Sequence, residues 1–393
     1  MRLEENTMKP ANTLLSALGT TIFTTMSALA ARHGAINLGQ GFPDTEGPAD
    51  IVQAAAAALL DHRNQYPPLT GLPELRQAVA AANARFWGLA IDPDAGVVVT
   101  SGATEALTAC MMALVNPGDE VVLIEPLYDT YLPVLRLLGA IPRLVRLSPP
   151  GWTLDPHALR AAFSAKTKAI LLNTPMNPTG KVFTETELGL IASLLHEHDA
   201  YAICDEVYEH LVFPPARHIP LMTLPGMAPR CLRIGSAGKT FSLTGWKVGY
   251  VSGPASLTAV VAKAHQNLTF TTAPNLQRAV AQGLARDDAY FQELAATLAA
   301  KRSRLSTGLR DIGFSVLPAD GSYFVIAGID RLGFSGTDAD FCRHITEHAK
   351  VAAIPVSAFY EGEAPQGWIR FAFCKQDEIL DKACAQLRQT LSP

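Results

Sequence analysis

Lys239 stands in Ser236-Ala237-Gly238-Lys239-Thr240-Phe241, after the apolar run 231–234 and before a second run at 248–252. This places the lysine on a loop between two strands. A lysine partly withdrawn from water loses its proton more readily and can attack a carbonyl. Gly-Lys-Thr also ends the phosphate-binding P-loop, but that motif requires glycine where this chain has Arg233. A single loop lysine is ordinarily solvated, so the chemistry depends on what else the chain brings to it.

Other groups suited to chemistry also follow apolar runs. Ser101-Gly102-Ala103-Thr104 closes one strand and opens a helix, where free N–H groups and the helix dipole favour phosphate. Tyr128, after the next strand, can pack or stack on a planar ligand. Asn177 presents an amide from Asn173-Thr174-Pro175-Met176-Asn177-Pro178-Thr179-Gly180, a turn of restricted residues. Asp205 follows 201–204 directly and suits a helix cap or a cation partner. Gly39 and Gly41 let backbone approach a ligand closely. Asn64-Gln65-Tyr66-Pro67-Pro68 is a stiff extended segment that projects Tyr66.

The elements that must position these groups form a pattern. Strands at 97–100, 120–124, 142–147, 169–172 and 201–204 alternate with helices at 103–114, 129–138, 156–163 and 185–198. Short β-rich runs between helices argue for an α/β fold with a mainly parallel sheet covered on both faces. Ligands of such sheets lie beyond the carboxyl ends of the strands. Helices are expected earlier at 22–31, 50–60 and 72–86. After residue 250 come helices at 256–265 and across 275–312, the latter one long helix or several. Strand pieces at 314–317, 323–327, 351–354 and 368–373 then mix with helices at 338–348 and 376–391, a smaller α+β region. The expected division is an arm with part of a small domain at 1–45, a large domain at 46–285, and a small C-terminal domain at 286–393.

The 393 residues, 48% hydrophobic, can bury a large core. A net charge of -4 gives no footprint for nucleic acid or anionic membrane. No apolar run is long enough for a membrane span, and residues 1–12 lack a signal-peptide apolar segment. The six cysteines form no C-x-x-C pair and suit reduced, buried thiols. These features point to the cytoplasm. His196-Glu197-His198 puts its histidines on different helix faces, so no metal site is expected.

Asn-Pro-Thr-Gly at 177–180, Asp-Glu-Val-Tyr at 205–208 and Ser-Ala-Gly-Lys-Thr-Phe at 236–241, in this order, resemble fold-type I pyridoxal-phosphate aminotransferases. Segments 37–44, 64–66, 236–249, 354–360 and 370–373 resemble the kynurenine, glutamine and methionine branch, and the similarity runs over essentially the whole chain. The resemblance implies a mainly parallel seven-stranded sheet and bound pyridoxal 5'-phosphate. Lys239 would hold the cofactor aldehyde and shuttle a proton; Asp205 would keep the pyridine nitrogen protonated. Asn177 and Tyr208 would bind the 3-hydroxyl oxygen, and Tyr128 would stack on the ring. Gly102, Ala103, Thr104, Ser236 and Lys247 would hold the phosphate, with Tyr66 reaching it from the neighbouring subunit of a homodimer.

The same resemblance gives Arg370 the substrate carboxylate, helped by Asn177 and the backbone near Gly41. Phe23 and the partner's Phe270 would line the side-chain pocket. Animal kynurenine and glutamine members typically carry an aromatic at the position of Thr104 and a histidine at that of Thr271, which argues against a kynurenine preference. No motif marks a second arginine for a distal carboxylate. The implied activity is ping-pong amino transfer between an uncharged or aromatic L-amino acid and a 2-oxo acid. The alternatives are a cysteine-conjugate carbon–sulfur β-lyase and a succinyl-diaminopimelate aminotransferase, which bacterial relatives resemble.

Overall fold

The computed structural model describes residues 9–391. Alternate residues of the central strands enter different cores, which fixes the main layers. Val121, Leu123, Leu171 and Ile203 pack with Leu107 and Cys110 of the helix Gly102–Leu114. Val122, Ile124, Ile170 and Leu172 pack with Leu188, Ile191 and Leu195 of the helix Glu185–Glu197. A strand apolar on both faces is stable only when helices cover both, which is why these runs read as continuous rather than alternating.

The large sheet has seven strands in the spatial order Val97–Ser101, Val248–Ser252, Cys231–Ser236, Tyr201–Asp205, Thr167–Asn173, Glu120–Glu125, Ile141–Arg146. Val248–Ser252 is antiparallel to both neighbours and every other pairing is parallel. The mainly parallel sheet expected from the alternation is therefore present.

Local assignments differ in several places. Lys239 is not on a loop: it lies in the single helical turn Ala237–Thr240, closed by Phe241 N–H donating to Ala237 O at 2.9 Å. The stretch 275–312, by contrast, takes one of the two forms expected, as two helices, Pro274–Leu284 and Asp288–Ile312, interrupted where Asp287 is extended. The strand expected at 351–354 is two short pieces serving different sheets. Val351–Ala352 pairs in parallel with Ile36–Asn37, while Ile354–Pro355 joins Trp368–Ala372, Phe324–Gly328 and Ser315–Val316 in an antiparallel sheet. That first pairing draws the segment after Asn37 across the chain to Arg370. Among the described residues no helix is long and apolar enough to cross a membrane.

Candidate active site

A cavity of about 410 Å³ opens at the carboxyl ends of the central strands. Thirteen expected site residues line it: Phe23, Gly41, Gly102, Ala103, Thr104, Tyr128, Asn177, Asp205, Tyr208, Ser236, Lys239, Lys247 and Arg370. Tyr66 and Phe270 do not. They meet edge-on at the surface, ring centroids 5.2 Å apart, with Tyr66 80% exposed.

Three ionisable groups inside the cavity are pushed from their ordinary behaviour by burial. Asp205, the last residue of its strand, accepts from Tyr131 Oη at 2.5 Å and from Val207 N–H at 3.5 Å. Burial lifts its carboxyl to about 6, opposed by the Tyr131 hydrogen bond and the charge of Lys239. Lys239 Nζ donates to Tyr323 Oη at 2.8 Å and lies 3.5 Å from Gly41 O. Burial brings its amine down to about 8, although the charge of the nearby Asp205 carboxylate opposes this. Arg370 is fully buried and lowered to about 10 by burial. It donates to Asn177 Oδ1 at 2.7 Å and to Gly39 O at 2.5 Å, against the faces of Phe324 and Phe23. Among the described residues its Nε has no hydrogen-bond partner, so this buried cation keeps donor capacity for an anion.

The opposite corner suits a phosphate. Gly102 begins a 13-residue helix with φ of +73°, a left-handed conformation that glycine adopts without strain. A Cβ added to Gly249 would come within 2.6 Å of Gly102 C and 2.8 Å of Ala103 N, so the neighbouring strand can pass beneath the helix start only as glycine. Lys247 brings its Nζ to 3.4 Å from the place a Gly102 Cβ would take, adding a cation beside the helix N-terminus. Glu105, one turn in, contacts Ser101 N–H and His265 Nδ1 (2.5 Å from Oε1), and His265 Nε2 lies 3.1 Å from Leu69 O. A buried carboxylate at one end, an anion corner at the other and a displaceable amine between them fit pyridoxal phosphate.

Sequence reading missed several members of the site. Tyr131 touches Asp205 across 74 positions, and no spacing rule joins them. Tyr323, Phe324 and Gln40 were unmarked because only the approach of the small sheet and segment 36–44 brings them in, while Asp129 stands beside Tyr128 after a strand of the large sheet, where nothing in its spacing distinguished it.

A parallel sheet carrying a buried lysine, a carboxylate and a phosphate corner at its carboxyl edge defines a fold-type I pyridoxal-phosphate enzyme. The model for "Aminotransferase class I and II" matches residues 33–387. The chain belongs to that family and is a pyridoxal-phosphate-dependent aminotransferase acting on an amino acid and a 2-oxo acid. It is 46% identical over 384 residues to a probable N-succinyldiaminopimelate aminotransferase, DapC, of Mycobacterium tuberculosis, covering 95% of this chain and 96% of that one. It is 39% identical to a methionine aminotransferase of Escherichia coli, covering 95% and 97%. The solved structure of N-succinyldiaminopimelate aminotransferase from Mycobacterium tuberculosis superposes with a TM-score of 0.94 at 46% identity, covering 97% of this chain and 100% of that one.

Proposed function

We propose that the donors are L-amino acids with uncharged or aromatic side chains, such as methionine, glutamine or phenylalanine, and that the acceptor is a 2-oxo acid. The observation that carries this reading is the composition of the cavity wall. Beyond Arg370 its lining includes the aromatics Phe23, Phe42, Tyr128 and Phe324 and the neutral polar Gln40 and Thr244, with the exposed acid Asp129. The remaining cations, Lys239 and Lys247, belong to the amine and the phosphate corner. A side chain with its own carboxylate would meet aromatic faces and an acid there, without a matching cation.

Within this reading each residue has a task set by its chemistry. Pyridoxal phosphate, when bound, supplies an electron-withdrawing ring that stabilises negative charge on the substrate α-carbon. Asp205 would keep the ring nitrogen protonated, Asn177 and Tyr208 would bind the 3-hydroxyl oxygen, and Tyr128 would stack on the ring. Gly102, Ala103, Thr104, Ser236 and Lys247 would hold the phosphate. Arg370 clamps the substrate carboxylate and fixes the direction of the α-hydrogen. Lys239 Nζ, largely neutral above pH 8, takes that proton and gives it back.

The enzyme works as a homodimer with shared sites, to which Tyr66 and Phe270 of each subunit contribute across the interface. Leu60 at 84% and Tyr66 at 80% exposure, with Leu59, Leu268 and Phe270 also exposed, support an apolar surface awaiting a partner. Six unpaired cysteines suit a reducing cytoplasm.

A second reading, succinyl-diaminopimelate as substrate, is favoured by the name of the relative at 46% identity. A panel of amino donors assayed against several 2-oxo acids tests both. Highest kcat/KM with methionine, glutamine or phenylalanine supports the first, whereas preference for succinyl-diaminopimelate as donor to 2-oxoglutarate overturns it. Pyruvate and ammonia released from a cysteine conjugate without any oxo acid would reveal a β-lyase.

A further inference from the structure

Tyr323 touches the amine of Lys239, and no role assigned above uses it. Its ring is 1% exposed and held edge-on between Tyr208 and Phe324, with centroids at 5.1 and 4.8 Å. The hydroxyl proton is committed to Gly41 O, since a carbonyl can only accept. Toward Lys239 Nζ, 2.8 Å away, Tyr323 therefore offers a lone pair. Gly41 O, 3.5 Å from the same nitrogen, is a second acceptor.

Seen from Nζ, Tyr323 Oη and Gly41 O lie in nearly the same direction, so they share one N–H, with Tyr323 the nearer acceptor. Donating that hydrogen stops rotation about the Cε–Nζ bond in either protonation state. The neutral amine then keeps its lone pair, and the ammonium its remaining hydrogens, in the other staggered positions, away from Tyr323. We propose that Tyr323 is a positioning residue that docks the free amine of Lys239 once substrate has displaced it, holding a lone-pair position toward the proton to be moved.

The inference rests on the reading of Lys239 as the proton carrier. In the step concerned, Nζ passes from NH2 to NH3+ as the α-C–H bond breaks, its electron pair stays with the substrate, and Nζ later returns the proton. Asp205, Tyr208, Arg370, Lys247 and Cys374 also face this nitrogen; Tyr208 in turn contacts the Tyr323 hydroxyl, and the other four keep their own chemistry when Tyr323 is altered.

Tyr323→Phe keeps the ring and removes the hydroxyl, which is both the acceptor toward Lys239 and the donor to Gly41 O. In cofactor-free full-length protein, competitive acetylation of Lys239, read by mass spectrometry across pH, should have its midpoint lowered by about one pH unit. In the holoenzyme kcat should fall about 10- to 100-fold while KM for the amino acid changes less than about 3-fold. The free amine would thus become more reactive while turnover slows, a combination that a loss of packing does not produce. An unmoved midpoint, or an unaltered kcat, overturns the proposal. If Tyr323→Phe does not fold, 3-fluorotyrosine at position 323, a poorer acceptor of nearly the same shape, should lower midpoint and kcat by smaller amounts; no change in either overturns it. Lys239→Ala separates the two levels. Turnover by that variant refutes the reading of the site itself. An inactive Lys239→Ala beside a wild-type Tyr323→Phe refutes only the docking role.

Discussion

Replacing Asp205 by asparagine will make the cofactor-free protein more stable while removing its activity. The carboxylate is buried, with one oxygen held by Tyr131 Oη at 2.5 Å and the other only by Val207 N–H at 3.5 Å. Burial raises its carboxyl from 3.8 to about 6, net of the Tyr131 hydrogen bond and the attraction of Lys239. An acid whose folded pKa is raised binds its proton more tightly in the folded state. Folding is therefore favoured by this group at low pH and penalised increasingly as pH rises from about 4 through 6. From 3.8 to about 6, at about 1.36 kcal/mol per pH unit, the penalty reaches about 3 kcal/mol at pH 7.5.

Asparagine carries no charge and escapes this penalty, but it takes a weaker hydrogen bond from Tyr131, a loss of about 1 kcal/mol. The net gain is about 2 kcal/mol at pH 7.5, falling to roughly zero near pH 4.5. Urea denaturation of both cofactor-free proteins at the two pH values measures it. A variant less stable than wild type at pH 7.5, or a difference that does not shrink on acidification, would refute the argument. Saturating pyridoxal phosphate should reverse the order, because the buried charge then has the ring nitrogen as its partner.

Competitive acetylation of Lys239 in the cofactor-free wild type should have its midpoint near 8 rather than 10.5. At pH 7.5 about a quarter of this amine is then neutral, against about 0.1% for an ordinary lysine, and a midpoint near 10 would contradict the burial argument. Arg370→Ala should raise KM for amino acids about 100- to 1,000-fold through loss of a buried paired carboxylate contact, with the cofactor absorbance retained; unchanged KM would assign the carboxylate elsewhere. Lys239→Ala and Tyr66→Ala, each impaired alone, should regain about a quarter of wild-type activity when mixed and reassociated, because half the dimers then hold one intact site. No recovery would remove Tyr66 from the shared site.

Much of the site is local in sequence because a parallel sheet puts its working residues where strands end. Asp205, Asn177, Lys239 and Gly102–Thr104 each follow an apolar run, so their convergence could be anticipated without knowing the strand order. The helical turn that carries Lys239 was not legible, since four residues give too short a window for any periodicity. The division of 275–312 into two helices depends on an extended Asp287 within an otherwise helical composition.

The order of buried runs and polar clusters by itself determined the layered sheet and the edge at which its ligand lies, while the resemblance carried by 177–180, 205–208 and 236–241 pointed to the amine, acid and arginine. Tertiary structure decided what those groups feel. The charge of Asp205 depends on Tyr131, the aim of Lys239 on Tyr323 and Gly41, and the free donor of Arg370 on Asn177, Gly39 and Phe324. Local periodicity records which face of an element is buried. It does not record which distant side chains arrive there to exclude water, and that burial, trimmed by the few polar contacts left inside, sets the proton affinity.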